Sequence, residues 1–209
     1  MAHAGEPLVY FVSDGSVSDS NYDVTSARLL RHLSAVISAE LQFAQIREKQ
    51  LSTRSLFDLV CRAARITKGS RTKLLISDRL DVALAAGSDG VHLTAISVRP
   101  EAVRAAVRRD LLIGVSTHSR DEVSAAAAGG ADFAVFGPVF DSPGKGAGVG
   151  TASLREAIRA ADRMPVLALG GVDGSNIPDV IASGAAGFAA IRFLNDARNL
   201  ARLGGEFDL

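Results

Sequence analysis

The sequence predicts an α/β fold, a (β/α)₈ TIM barrel that forms a single domain over residues 1–209. Eight short apolar runs alternate with longer segments of helical periodicity along the chain. Most of these runs are apolar throughout, as expected for parallel strands that are covered on both faces. Parallel neighbours need a crossover helix between them, so eight strand–helix units favour a barrel.

The elements follow one another in a regular order. The predicted strands are residues 8–13, 41–46, 73–77, 90–93, 111–116, 133–136, 166–169 and 187–191. Four predicted helices cover residues 26–39, 120–128, 153–161 and 176–183. Two more helices are indicated by apolar residues that share one face, and these residues are Leu56, Leu59, Val60 and Ala63 in one, and Val98, Ala102, Val103, Ala106 and Val107 in the other.

An open doubly wound sheet is the competing architecture. It usually has fewer strands, and its dinucleotide-binding version carries a GxGxxG turn after the first strand. Here the first strand is followed by Ser13-Asp14-Gly15-Ser16, which lacks that pattern. The barrel is therefore the preferred prediction.

Composition excludes several classes of function. Lysine plus arginine number 23 and aspartate plus glutamate also number 23, so we expect no nucleic-acid partner. No apolar run approaches the ~20 residues that cross a bilayer, so we expect no membrane span. Residues 1–7 do not resemble a secretory signal, and Cys61 is the only cysteine. A cytoplasmic protein without disulfides is expected.

Polar and glycine residues gather where the predicted strands end. In a (β/α)₈ barrel the carboxyl ends of the strands form the catalytic rim, so this distribution indicates an enzyme. The residues concerned are Arg47, Lys49, Asp78, Arg79, His92, Ser116, His118, Gly137, Gly170, Gly171 and Arg192.

The second strand carries a polar stripe. Gln45, Arg47 and Lys49 are spaced at i, i+2 and i+4, so an extended chain projects all three to one side. Two cations and an amide suit a carboxylate or phosphate ligand. An internal salt bridge to Glu48 or Asp78 is the alternative, because a buried charge needs a partner.

Phosphate binding is predicted after the last two strands. Gly170 and Gly171 precede a predicted helix and would let the backbone approach an anion closely. Ile191 and Arg192 follow the eighth strand, where a guanidinium could bind phosphate in bidentate fashion. A tight turn that merely uses two glycines is the simpler interpretation of the pair.

Four further residues have open interpretations. Lys145 lies in the glycine-rich segment 137–150, which is either a lid that brings a cation to an anion or a flexible connector. His118, just past a strand end, is the best acid–base candidate, although a loop histidine bonded to backbone is the alternative. His92 lies within a strand and is interpreted as a core histidine. Asp78 would hold Mg²⁺ or pair with a rim arginine.

Several stretches occur together in a recognisable order. They are Gln45-Ile46-Arg47-Glu48-Lys49, Asp78-Arg79-Leu80-Asp81-Val82-Ala83-Leu84, Gly90-Val91-His92-Leu93, Gly114-Val115-Ser116-Thr117-His118-Ser119, Phe136-Gly137-Pro138-Val139-Phe140 and Ala168-Leu169-Gly170-Gly171-Val172. The set resembles the thiamine-phosphate synthase/TenI superfamily of small barrels over about residues 8–195. The resemblance implies a small phosphorylated thiazole as substrate, and a homodimer is plausible.

The superfamily contains two chemistries. The synthase joins a pyrimidine pyrophosphate to a thiazole phosphate with Mg²⁺ as cofactor, whereas the TenI-type tautomerase moves a proton on a thiazole phosphate and needs no metal. Resemblance to the synthase assigns the pyrophosphate to Arg47, Lys49, Ser116 and Lys145, the metal to Asp78, and the thiazole phosphate to Gly171, Ile191 and Arg192. Resemblance to the tautomerase makes His118 the acid–base catalyst.

The sequence departs from the synthase pattern at the proposed metal site. Synthases typically read HLGQxD after the fourth strand, and here Ala95 and Ser97 replace the glutamine and the metal-binding aspartate. A hard cation with one carboxylate should bind weakly. Arg192 also stands where the superfamily usually has serine. We therefore expect a thiazole tautomerase, with a synthase or a non-catalytic thiazole or thiamine phosphate-binding regulator as alternatives.

Overall fold

The computed structural model describes residues 6–107, 110–142 and 146–206, with side chains described up to residue 203. Eight strands follow one another in chain order around a closed barrel, which confirms the predicted (β/α)₈ fold. The strands are β1 Leu8–Val12, β2 Phe43–Ile46, β3 Lys73–Ser77, β4 Gly90–Leu93, β5 Leu112–Thr117, β6 Phe133–Phe136, β7 Val166–Ala168 and β8 Gly187–Ala190. The pairs β1–β2, β2–β3, β5–β6, β6–β7 and β7–β8 are parallel.

The described part of the chain also forms helices between the strands. They are α1 Tyr22–Ser38, α2 Thr53–Thr67, α3 Leu80–Ala86, α4 Pro100–Ala106, α5 Arg120–Ala128, α6 Gly150–Ala160, α7 Ile177–Ala182, α8 Arg192–Asn195 and α9 Ala197–Glu206. A 3₁₀ turn at Asp19–Asn21 precedes α1. In the described residues no helix is both long and apolar enough to cross a bilayer.

Internal contacts divide the chain into two units. The first unit contains residues 10–91 and the chain from residue 191 onward. In it Tyr10 pairs with Phe43 across β1 and β2, and their rings meet edge to face with centroids 5.7 Å apart. Leu33 of α1 and Leu59 of α2 are fully buried, so each helix presents one apolar stripe to the core.

The second unit contains the chain up to residue 9 and residues 92–190. In it Gly114 of β5 pairs with Phe133 of β6. A Cβ on Gly114 would come within 2.5 Å of the Phe133 ring and 2.8 Å of His92 Nδ1. The large Phe133 side chain, 2% exposed, therefore requires a glycine opposite it.

Most predicted elements are confirmed within one or two residues at their ends, but one helix face is wrong. Helix α4 ends at Ala106, and only Val103 of the predicted apolar face is buried. Ala102 and Ala106 are exposed, and Val98 precedes the helix with 56% of its surface exposed. Pro100 favours a helix start at its own position and is one of the first helical residues, so Val98 stays outside the helix. The predicted face also counted alanines, which bury little area.

The helix starts and a few short helices also differ from expectation. Helix α1 begins at Tyr22 rather than residue 26, and α6 begins at Gly150 rather than residue 153. Helix α3 at Leu80–Ala86 and the carboxyl-terminal helices α8 and α9 were not predicted. Helices α3 and α8 have only seven and four residues, too few apolar positions to show a clear period, which explains these two omissions.

Candidate active site

The polar stripe that begins in β2 and continues past its end runs from the core to the solvent. Gln45 is 3% exposed, Arg47 is half-buried and Lys49 is exposed. The Gln45 side-chain amide donates to the Ser77 hydroxyl at the end of β3, with a distance of 2.5 Å between Nε2 and Oγ. The amide is therefore held by a neighbouring strand, whereas the two cations extend progressively toward the surface.

Arg47 and Lys49 are not neutralised by an internal salt bridge in the described part of the chain, because none of the ion pairs found there includes them. Glu48, one of the two expected partners, turns to backbone instead. Its Oε1 and Oε2 accept the N–H groups of Gly15 and Val17 at 3.2 and 2.8 Å. Among the described residues the two cations are thus without a carboxylate partner.

Glu48 itself is an unusual carboxyl group, only 4% exposed. Burial raises its pKa above the ordinary value, while hydrogen bonds from Ser13, Val17 and Gly15 oppose that rise by favouring the ionised form. The nearby charge of Asp14 adds a smaller increase. Sequence reasoning considered Glu48 only as a salt-bridge partner and missed this backbone contact.

Asp78 follows β3 in a strained turn. Its φ of 59° lies in the left-handed region, and the Arg79 N–H bonds to the Ser77 carbonyl at 2.6 Å. Aspartate tolerates this conformation better than most residues, and such strain is often kept at functional positions. Arg79 turns to Asp81 in a 2.6 Å ion pair. Asp78, Glu48 and Lys49 line one cavity of about 210 Å³.

Ile191 and Arg192 begin the short helix α8, and Arg192 is exposed. The position of this helix is fixed by two side chains. His32 Nε2 contacts the Leu194 carbonyl oxygen at 2.7 Å, and the Asn195 side-chain amide donates to the Ile191 and Val12 carbonyls at 2.7 and 2.8 Å. These contacts hold the chain on which Arg192 stands.

In the second unit, His92 and Ser116 meet at adjacent strands. His92 is 3% exposed, as a core histidine should be, and its Nε2 lies 2.8 Å from the Ser116 hydroxyl oxygen. Its ring also packs against Phe133 with centroids 6.2 Å apart. The interpretation of His92 as a core histidine is correct for its burial. It did not include the contact with Ser116, a predicted site residue.

His118 lies at the end of β5, where its side chain is oriented by backbone. Its Nδ1 lies 2.5 Å from the Gly137 carbonyl oxygen. A carbonyl oxygen only accepts, so Nδ1 carries the hydrogen and Nε2 of the neutral ring is the basic nitrogen. The His118 N–H donates to Glu122 of α5 at 2.7 Å, which fixes the main chain. This arrangement matches the interpretation of His118 as a loop histidine bonded to backbone. Its role as an acid–base catalyst stays a prediction.

The two glycines after β7 have a packing role. Gly170 and Gly171 have φ values of 95° and 63°. A Cβ on either residue would come within 2.5 Å of backbone atoms of the loop that follows β6, namely Pro138 Cα and the Asp141 carbonyl oxygen. The backbone of residues 138–141 therefore occupies the space beside the glycines, and phosphate binding there stays a prediction.

The helix expected to supply amide donors beside these glycines is short. Helix α7 has six residues, and Pro178 in its first turn has no N–H. The Asn176 and Ile177 N–H groups bond to the Asp173 carbonyl at 3.2 and 3.1 Å. Much of the donor capacity of this helix start is thus used within the loop itself.

Two remaining predictions concern the β4–α4 loop and the glycine-rich loop. Ser97 closes its own turn, because its Oγ accepts the Thr94 N–H at 2.8 Å. Serine at this position therefore stabilises the loop instead of adding a carboxylate. Within the described ranges, no cluster of three or more His, Cys, Asp or Glu side chains could hold a metal ion. Lys145 lies outside the described residues.

The chain is similar to proteins named for one activity. The sequence profile described as "Thiamine monophosphate synthase" (TMP-TENI) matches residues 9–194. A "Putative thiamine-phosphate synthase" of Geobacter sulfurreducens is 43% identical over 171 residues, covering 78% of each chain. A "Thiamine-phosphate synthase" of Methanoculleus marisnigri is 38% identical over 186 residues, covering 88% of this chain and 85% of the other.

The fold has a close structural counterpart as well. A solved "Thiamine phosphate pyrophosphorylase" from Pyrococcus furiosus superposes with a TM-score of 0.76 over 94% of this chain and 95% of the other. At 24% identity, this likeness supports the barrel architecture alone.

Proposed function

The chain belongs to the thiamine monophosphate synthase (TMP-TENI) family, and we propose that it is a thiamine-phosphate synthase that couples a pyrimidine pyrophosphate to a thiazole phosphate. The observation that carries this proposal is the pair Arg47 and Lys49, two cations at the end of β2 without a carboxylate partner in the described chain. Two cations without a carboxylate partner suit the several negative charges of a pyrophosphate group. The tautomerase expected from the sequence becomes the second candidate, because the relatives above carry synthase names.

We assign the substrate groups as follows. Arg47 and Lys49 bind the pyrophosphate, and Ser116, held by His92 at 2.8 Å, together with Lys145 contributes further contacts to it. Gly170, Gly171, Ile191 and Arg192 bind the thiazole phosphate. Gln45, fixed by Ser77 beneath the cations, offers an amide to the pyrimidine. A C–N bond forms between the heterocycles and the C–O bond to pyrophosphate breaks.

Mg²⁺ fits this site as a cation that the substrate itself helps to hold. Magnesium is often bound through one or two carboxylates together with substrate phosphates. Asp78 supplies one carboxylate beside Lys49 in the same cavity. When bound, Mg²⁺ would neutralise part of the charge on the departing pyrophosphate.

The direct test is the synthase reaction with the purified chain. Pyrimidine pyrophosphate, thiazole phosphate and Mg²⁺ are supplied, and the formation of thiamine phosphate and the release of pyrophosphate are both followed. We expect the two products in equal amounts. Their absence, in an assay in which an authentic synthase is active, would contradict the proposal.

The second candidate is a thiazole tautomerase, and His118 is the observation that favours it. With Nδ1 bonded to the Gly137 carbonyl, the Nε2 atom is available to accept and return a proton without a metal. Conversion of the non-aromatic thiazole carboxylate phosphate to its aromatic tautomer would identify this activity. Binding of thiazole phosphate without either reaction would identify a non-catalytic binder instead.

We also propose that the chain works as one barrel domain. The family match from residue 9 to residue 194 includes parts of both units, which supports this proposal. A single cooperative thermal transition observed by both circular dichroism and calorimetry is the expected result.

A further inference from the structure

The segment that carries Arg47 and Lys49 is attached to the loop that follows β1 by a buried carboxylate. Glu48 lies between the two cations in sequence, yet both its oxygens accept backbone N–H groups of that loop, from Gly15 and Val17. The Arg47 N–H in turn donates to the Ser13 hydroxyl at 2.8 Å. These hydrogen bonds, together with the one from Ser13 to Glu48, join residues 13–17 to residues 47–48 within the first unit.

The same loop also lies near the Arg47 side chain. Gly15 has a φ of 81°, and a Cβ placed on it would lie 3.7 Å from Arg47 Nη1. The guanidinium therefore lies close to the backbone that Glu48 holds. Movement of Gly15 would change the surface on which the guanidinium rests.

A second connection lies on the far side of Lys49. The Asp19 carboxylate accepts the Ser52 N–H at 3.0 Å and the Ser52 hydroxyl at 3.1 Å. Ser18 and Gln50 form an isolated parallel bridge in the same place. The chain from residue 47 to residue 52 is thus fastened at both ends to the loop that follows β1.

We propose that Glu48 is a positioning residue, which fastens the β1–α1 loop to the end of β2 and so holds Arg47 and Lys49 in the arrangement that binds pyrophosphate. The inference rests on the proposed function. The buried contact also directs the Glu48 carboxylate to the β1–α1 loop, because each of its oxygens accepts a backbone N–H group there.

Simple electrostatics makes the opposite prediction, which gives the proposal a sharp test. Removing a negative charge next to two cations should strengthen the binding of an anion, since one repulsive term disappears. Loss of the positioning contact should weaken the same binding, because affinity falls steeply when the protein groups that bind a ligand are misplaced.

The experiment compares Glu48→Gln with Glu40→Gln. Both changes remove one carboxylate charge, but Glu40 precedes β2, is exposed and pairs only with Arg71 in the described chain. The Kd of inorganic pyrophosphate with Mg²⁺ is measured by calorimetry. We expect a Kd about tenfold higher for Glu48→Gln and an unchanged Kd for Glu40→Gln. An equal or lower Kd for Glu48→Gln overturns the proposal.

Amide hydrogen exchange supplies a readout that needs no ligand. We expect faster exchange at residues 13–18 and 46–53 in Glu48→Gln and not in Glu40→Gln, and unchanged exchange at residues 46–53 overturns the proposal. Wild-type protein that binds no pyrophosphate would contradict the proposed function, and exchange would still decide the role of Glu48.

A milder variant covers the case in which Glu48→Gln does not fold. Asp19→Asn cuts the exposed second connection and should raise the Kd in the same direction by a smaller factor, although it too removes a negative charge. A Kd that does not rise in Asp19→Asn would then overturn the proposal.

Discussion

The ends of β2 and β5 both carry predicted site residues but are built in different ways. After β2 the functional groups are cations, and the group that fixes them is a buried carboxylate bonded to backbone amides. At the end of β5 they are the Ser116 hydroxyl and the His118 imidazole, and the groups that fix them are another imidazole and a carbonyl oxygen. The first end suits the binding of an anion and the second suits the handling of a proton.

The difference shows how each strand end orients its charged or polar side chains. The Glu48 carboxylate accepts N–H groups of another loop and forms no ion pair with Arg47 or Lys49, which suits the proposed anion site. The Gly137 carbonyl can only accept, so it gives His118 one defined tautomer, which suits the proposed proton transfer. The predictions below separate the two ends, from the largest expected effect to the smallest.

His118→Gln tests the β5 end. If the chain is a tautomerase, turnover should fall by about 10²–10⁴-fold, because the proton acceptor is lost while an amide of similar shape remains. Thiazole phosphate binding, measured by calorimetry, should change little. Under the synthase proposal the same variant should retain most of its coupling rate, so full coupling activity together with unchanged isomerisation would exclude a proton-transfer role for His118.

Arg47→Ala tests the β2 end. We expect the Kd of inorganic pyrophosphate to rise by about 10–100-fold, the loss typical of a charge-assisted hydrogen bond. Arg71→Ala is the matched control, because Arg71 is exposed and pairs with Glu40 away from the predicted site. Equal affinities in the two variants would show that the cations after β2 do not hold the anion.

Gly114→Ala disturbs the packing beneath Ser116. The new methyl group would meet Phe133 and His92 at distances below 3 Å, so unfolding free energy should fall by about 1–3 kcal/mol. Displacement of His92 should also release the Ser116 hydroxyl. Chemical denaturation measures the first effect, and the NMR signal of the His92 ring reports the second. Unchanged stability would mean that the core yields at this point.

The pH dependence of stability should reflect Glu48. Burial raises its folded pKa above the unfolded value of 4.5, so the folded chain keeps this proton to higher pH than the unfolded chain does. At a pH between the unfolded and the folded pKa of Glu48, unfolding releases the proton. The contribution of Glu48 to stability therefore falls as the pH rises through this range. Glu48→Gln should flatten this part of a plot of unfolding free energy against pH. An identical slope in wild type and variant would contradict the shift.

The fold was largely predictable from the sequence because strand runs that are apolar throughout leave few architectures open. The stripe Gln45, Arg47 and Lys49 was predictable too, since a period of two identifies one side of an extended chain. The partners of Glu48 were not, because Gly15 and Val17 contribute only backbone N–H groups, which leave no trace in side-chain patterns. The prediction of the buried face of α4 was wrong because alanine occurs on either side of a helix and therefore does not identify the buried face.

The contact of Gly170 and Gly171 with residues 138–141 has a consequence for redesign of the second unit. Val139 and Phe140 donate their N–H groups to the Leu169 and Gly170 carbonyls at 2.8 and 3.0 Å. The backbone conformation of each loop therefore depends on that of the other. If one loop were transplanted from a relative without the other, a side chain at position 170 or 171 could collide with the backbone of residues 138–141. The two segments should therefore be exchanged together. Chimeras that graft both loops should fold where chimeras that graft only one do not.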